Sequence, residues 1–212
     1  MLQTCTSLLP FLLSSCKIFY NYRSIDDCDP LVAKWEALDA MLSATMTSHV
    51  SRRASVAQGS GMIRAFMKIF PQIIFPLKRI KKSILQASIV EKCDLNLFGV
   101  CGHAATCFGA VCGLLGIDLR ISCSMFLYTS TRDMVNAAVR MNLAGPLEAG
   151  GMINKICSHL EKILDLVIMK HLNNANRKKE KNMDIEAIHQ ISPLIEVLSN
   201  AHDRLYTRLF NS

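Results

Sequence analysis

Apolar positions recur at three- and four-residue intervals along almost the whole chain, and no period-two alternation competes with them. Leu31, Trp35, Leu38 and Leu42 share one face of a segment that opens with Asp29 as N-cap and Pro30 at the first helical position, which predicts a helix to about Met46. A second pattern joins Val50, Ala54, Ala57, Gly61, Ile63, Phe66 and Ile69. Its small residues predict close approach of another helix, and Pro71 and Pro76 are read as interrupting it. Gly99, Gly102, Ala105, Gly109 and Gly113 then mark a tightly packed central helix, ended by Gly116. Asp118 caps a long helix that turns Ile121, Met125, Tyr128, Val135, Ala138 and Val139 toward the core or a partner. A turn from Leu143 to Gly151, containing Gly145-Pro146, closes it.

The most regular stripe is Ile153, Ile156, Leu160, Ile163 and Val167, which predicts a helix ending near Leu172 with Leu160, Ile163 and Val167 inside. Asn173 to Asn182 has almost no apolar residue and predicts a solvated loop. Ser192-Pro193 restarts a helix striped by Leu194, Leu198, Ala201, Leu205 and Leu209. The fold class is therefore all-α: a single-domain helical bundle over residues 1–212, with the 173–182 loop inside it.

Composition narrows the picture further. At 212 residues, 50% hydrophobic and 19% charged, the chain is globular and long enough for one sizeable core. The early apolar run from Leu8 to Leu13 is broken by Pro10 and closed by Lys17, far short of the roughly 20 residues a bilayer crossing needs. Nine cysteines with no repeated spacing, and no cleavable signal ahead of them, predict reduced thiols in the cytoplasm. The net charge of +7 is visible in Lys78, Arg79, Lys81 and Lys82, interleaved with Leu77, Ile80, Ile84 and Leu85. That pattern reads as the solvated face of an amphipathic helix, with a membrane surface or nucleic acid as the alternative contact. No aromatic platform for base stacking sits among these lysines.

Catalytic machinery is not evident. The chain has no GxxxxGK[ST] phosphate loop, no GxSxG elbow and no HExxH pair, so it reads as a non-enzyme without catalytic or cofactor-binding residues. Cys101, His103 and Cys107, with Cys112 downstream, are soft and borderline ligands for nickel or zinc. Their spacing matches no closed structural site, and packing is the favoured reading, with a thiol metal-site enzyme as the alternative. Tyr128 and Arg140 are polar groups on an apolar helix, which makes them internal hydrogen-bonders or interface residues. Tyr206, Arg208 and Phe210, near an end that would otherwise fray, are of the types that anchor partners.

The order and spacing of several of these residues resemble a known family. His103, Phe108-Gly109, Leu114 to Asp118, Tyr128, Arg132-Asp133, Ala137-Ala138, Arg140, Leu143 and Gly145-Pro146-Leu147 are similar to the C-terminal half of the UreF urease accessory proteins in their eukaryotic form. SRRASVAQGS at Ser51 to Ser60 and HDRLYTRLFNS at His202 to Ser212 flank that match. The resemblance implies an all-α, non-enzymatic scaffold or chaperone for nickel insertion into apo-urease, bridging UreD (UreH in some bacteria) and the GTPase UreG. It implies a cytoplasmic homodimer with no tightly bound cofactor, nickel being handled by the assembled complex. It also implies a dimer contact at Tyr128, with Ser124 where some bacterial members carry an arginine, and a tail that docks on UreD through Arg208 between Tyr206 and Phe210. The family's leading Leu-Pro-x-Gly-x-Phe-x-His-Ser-type motif has no counterpart, so the chain reads as N-terminally short. The alternatives are an inactive truncated UreF form and a basic helical membrane-surface or nucleic-acid-binding protein.

Overall fold

The computed structural model describes residues 7–20, 22, 28–91, 100–177 and 198. Seven α-helices and one 3-10 turn make up these residues, with no strand among them: α1 (Leu9–Tyr20), α2 (Cys28–Thr45), α3 (His49–Ile69), the turn Pro71–Ile73, α4 (Ile74–Glu91), α5 (Ala104–Leu114), α6 (Leu119–Arg140) and α7 (Pro146–Arg177). The all-α expectation holds. The described residues divide into two compact units, one made of residues within 11–117, the other made chiefly of residues 118–177.

In the 11–117 unit, α5 is the centre. It carries no charged side chain, and every residue from Ala104 to Gly113 is buried. Its glycines are there because α1 lies against the backbone: a Cβ on Gly109 would stand 2.5 Å from the Leu12 carbonyl oxygen, and one on Gly113 would stand 2.4 Å from that of Cys16. Helix α5 ends in a Schellman motif at Gly116, whose φ is +67°, with the Ile117 N–H donating to the Cys112 carbonyl at 2.9 Å and the Gly116 N–H to that of Gly113 at 3.0 Å. Gly102 is not part of the helix; it precedes it with φ +76°. Around α5 the core gathers Phe19, Trp35, Ile63, Leu77 and Ile80.

Three readings of this unit are corrected. Asp29 and Pro30 lie within the first turn of α2, which starts at Cys28, two residues before the expected first helical position. Pro71 does end α3, but Pro76 sits in the first turn of α4, where its missing N–H has no intrahelical partner to lose. In α3, Val50 and Ile63 are buried as expected, whereas Ala57 and Ile69 are exposed and Gly61 has no atom within 4 Å of a built Cβ. The close approach occurs at Gly59, where a Cβ would stand 2.1 Å from the Gly102 carbonyl oxygen.

In the other unit, α6 and α7 form a hairpin. The Asp118 carboxylate accepts the Arg120 and Ile121 N–H groups at 2.9 and 3.4 Å, capping α6 as read. Asn142, with φ 57°, ends α6 in a second Schellman motif. Helix α7 begins at once on Pro146, so Gly150 and Gly151 are helical, not part of the turn. It also continues past Leu172 to Arg177, into the segment read as a loop; residues 178–182 lie outside the described residues. Leu160 is buried, but Ile163 and Val167 are only half-buried, and Leu164 is the deepest side chain of the stripe. An exposed Arg120–Asp165 ion pair at 2.9 Å joins the two helices. The helix expected after Pro193 lies outside the described residues apart from Leu198.

Candidate functional site

The chemically richest part of the chain is a buried polar hub at the N-terminus of α5. Asp39, on the buried face of α2, is fully enclosed. Its Oδ2 accepts the N–H groups of Cys101 and Gly102 at 2.8 and 2.7 Å. Its Oδ1 accepts the His103 N–H at 2.9 Å and the Thr106 hydroxyl. Three successive N–H groups turned to one carboxylate form a backbone nest, and the positive end of the α5 dipole adds to it. The left-handed conformation of Gly102 lets the three N–H groups converge. The Thr106 carbonyl in turn accepts the Ser15 hydroxyl at 2.7 Å and the Trp35 indole N–H at 3.2 Å, tying α1 and α2 to the same turn.

Helix α3 completes the hub. Ser55 Oγ accepts the Ala104 N–H at 3.2 Å and lies 3.2 Å from His103 Nδ1. Ser55 Oγ can accept from Ala104 and still either donate to Nδ1 or accept from it, so the pair is satisfied in either ring tautomer. Nε2 is buried without a partner among the described residues. Serine, histidine and aspartate here have the composition of a hydrolase triad but not its geometry: Asp39 binds the histidine's backbone rather than its ring. The arrangement fastens three helices; it does not activate a nucleophile.

Burial holds His103 below its ordinary value near 6.5, Asp39 opposing and Arg52 reinforcing that shift. A histidine kept neutral in the fold but free to protonate when unfolded contributes stability that is complete above about 6.5 and is lost as pH falls toward the folded value. Thermal melts between pH 8 and pH 5.5 are therefore expected to decline on the acid side, and His103→Gln to flatten part of that decline. An unchanged slope in the variant would assign the acid sensitivity to other groups.

Cys101, His103 and Cys107 lie close together in sequence, but among the described residues no three His, Cys, Asp or Glu side chains converge as a metal site. Cys101 is half-buried with its Sγ 3.8 Å from Ser43 Oγ, whereas Cys107 and Cys112 are buried. Burial pushes the Cys107 thiol well above the ordinary cysteine value, with Asp39 adding to the shift. Under native conditions a thiol reagent should therefore reach Cys101 first, leaving Cys107 and Cys112 protected until denaturant is added. Mass spectrometry of the labelled peptides reads the order, and native labelling of Cys107 at the rate of Cys101 would contradict it.

Several exposed apolar residues share α6. Ile121, Met125 and Tyr128 are 54%, 44% and 50% exposed along one face, while Val135 is buried and Ala138 and Val139 are half-buried. So the stripe read as core or partner-facing divides, its first half facing outward. Arg140 is exposed. Tyr206, Arg208 and Phe210 lie outside the described residues. Sequence reading missed Asp39, Ser55 and Gly59. Asp39 did leave a signal, being an acid four residues after Trp35 and three before Leu42 on an otherwise apolar face.

The sequence profile of the UreF family matches residues 3–156, which include the whole hub. Among similar proteins, Urease accessory protein F of Arabidopsis thaliana is 34% identical over 210 residues, covering 99% of this chain and 73% of that protein. Urease accessory protein F of Oryza sativa subsp. indica is 30% identical over 208 residues, 98% of this chain and 66% of its own length. Urease accessory protein 6 of Cryptococcus neoformans is 27% identical over 210 residues, 88% of this chain and 66% of its own.

Proposed function

Because the chain belongs to the UreF family of urease accessory proteins, we propose that it is a non-enzymatic scaffold for nickel insertion into apo-urease. In this reading it works in the cytoplasm as a homodimer, bridging UreD and the GTPase UreG, while GTP and nickel chemistry stay with the assembled complex. The observation that carries the proposal is the family match over residues 3–156. The geometry supports it: the buried polar groups of the hub hold helices together, and the accessible apolar side chains Ile121, Met125 and Tyr128 face outward, where a scaffold meets partners. No described helix is long and apolar enough to cross a membrane.

Co-expression of this chain with UreD, UreG and apo-urease tests the proposal. UreD is expected to co-purify and urease activity to rise with nickel; Arg208→Ala is expected to weaken UreD capture by about 2 kcal/mol while leaving the melt unchanged. Failure of the wild-type chain both to retain UreD and to raise urease activity would exclude the scaffold role. Equal UreD capture by wild type and Arg208→Ala would remove the tail from its binding site.

A further inference from the structure

Helix α4 carries a charged face that the hub and the outward face of α6 do not explain. Leu77 and Ile80 are buried in the core, while Lys78, Lys81 and Lys82 are exposed together on the opposite side. Positions three and four apart on a helix are neighbours, about 5–6 Å between Cβ atoms, so Lys78 repels both other lysines. No acid among the described residues pairs with any of the three, although Arg79, Arg120 and Arg132 are paired with Asp29, Asp165 and Asp133. The first turn of α4 has no acidic residue either, so no carboxylate there offsets the lysine charge. One turn further along the same face, Leu85 is 52% exposed.

We propose that this α4 face, Lys78, Lys81, Lys82 and Leu85, is a docking surface for an acidic segment of a partner protein. The argument for that occupant is complementarity. Carboxylates spaced one helical turn apart would meet the lysines and relieve their mutual repulsion, and a single apolar side chain of the partner would cover Leu85. A membrane surface fits less well, because interfacial helices bury a row of large apolar side chains and, among the described residues, Leu85 is the one exposed large apolar side chain on the lysine side. A nucleic acid fits less well too, since the ring nearest the lysines, Phe75, is packed against the core with the Arg79 guanidinium over it rather than open to a base. The inference deepens the scaffold reading by giving the chemistry of one partner contact, and it stands on the lysine face alone.

The test uses the full chain and a fluorescein-labelled helical peptide with glutamates one turn apart and one leucine on the same face. Salt-sensitive binding is expected, weakened about ten-fold or more by Lys78→Gln/Lys81→Gln/Lys82→Gln and measurably by Leu85→Ser. A control of equal charge, Lys34→Gln/Lys155→Gln/Lys162→Gln, removes three exposed lysines from other surfaces and should leave binding close to wild type. Circular dichroism confirms that each variant is folded. Absence of peptide binding, or equal losses in the two triple variants, would overturn the proposal. Tighter binding to phosphatidylserine vesicles or to an oligothymidine strand would overturn the assignment to a protein partner. Peptide binding by a chain that neither captures UreD nor raises urease activity would keep the surface and reject the scaffold role.

Discussion

Asp39→Ala is expected to cost about 4 kcal/mol or more, toward the extreme of single substitutions, and to lower the melting temperature by on the order of 10 °C. The carboxylate accepts four hydrogen bonds, from the N–H groups of Cys101, Gly102 and His103 and from the Thr106 hydroxyl, in a site closed to water. Alanine leaves the Gly102 and His103 N–H groups buried without this acceptor, each a penalty of about 1–3 kcal/mol before relaxation. It also removes an acceptor from the half-buried Cys101 N–H and from the Thr106 hydroxyl, which keeps the His103 carbonyl. The damage spreads, because the same turn of α5 also receives Ser15 of α1 and Trp35 of α2. Asp39→Asn should fall between wild type and alanine, since its amide keeps the volume but turns one acceptor into a donor facing donors. Thr106→Val removes a single partner and should cost about 1–2 kcal/mol. Chemical denaturation of the three variants ranks them, and an Asp39→Ala midpoint close to wild type would show that the nest does not hold α5 in place.

Two glycines on α3 should respond to the same substitution with opposite sign. At Gly61 a Cβ meets no atom within 4 Å, so Gly61→Ala brings only the helix preference of alanine and a stabilisation of up to about 1 kcal/mol. At Gly59 the same Cβ would stand 2.1 Å from the Gly102 carbonyl oxygen and 2.9 Å from the His103 carbonyl carbon, both backbone atoms. Moving them strains the turn that Asp39 holds, so Gly59→Ala should lose about 2–3 kcal/mol despite gaining helix propensity. Paired melts decide it. Stabilisation by both substitutions would mean that α3 can move away from residues 102–104 at little cost.

The contrast between these glycines shows how far the sequence reaches. Periodicity alone determined that the chain is helical, because a three-and-four spacing of apolar residues buries a helix face and cannot bury a sheet face. Local chemistry determined several helix ends as well. Asp118 caps α6 by its own side chain, and Gly116 ends α5 because its left-handed φ costs a glycine nothing. Even the solvated side of α4 was legible, since lysines set off the Leu77 and Ile80 stripe. Which small residue on α3 is a contact was not legible. Gly59 and Gly61 present the same chemistry, and only the path of the 101–103 segment distinguishes them. The hub is of the same kind: Asp39, Ser55 and His103 are spread over 64 positions between the first N–H acceptor and its donor, and the hydrogen bonds that join them exist only once α2, α3 and α5 are packed. The sequence by itself determined the helical character, the helix ends at Asp118 and Gly116, and the family to which the chain belongs. The tertiary structure alone decided that a charged residue on an apolar face closes a nest of backbone N–H groups, because burying a carboxylate is favourable only where donors from distant segments converge on it.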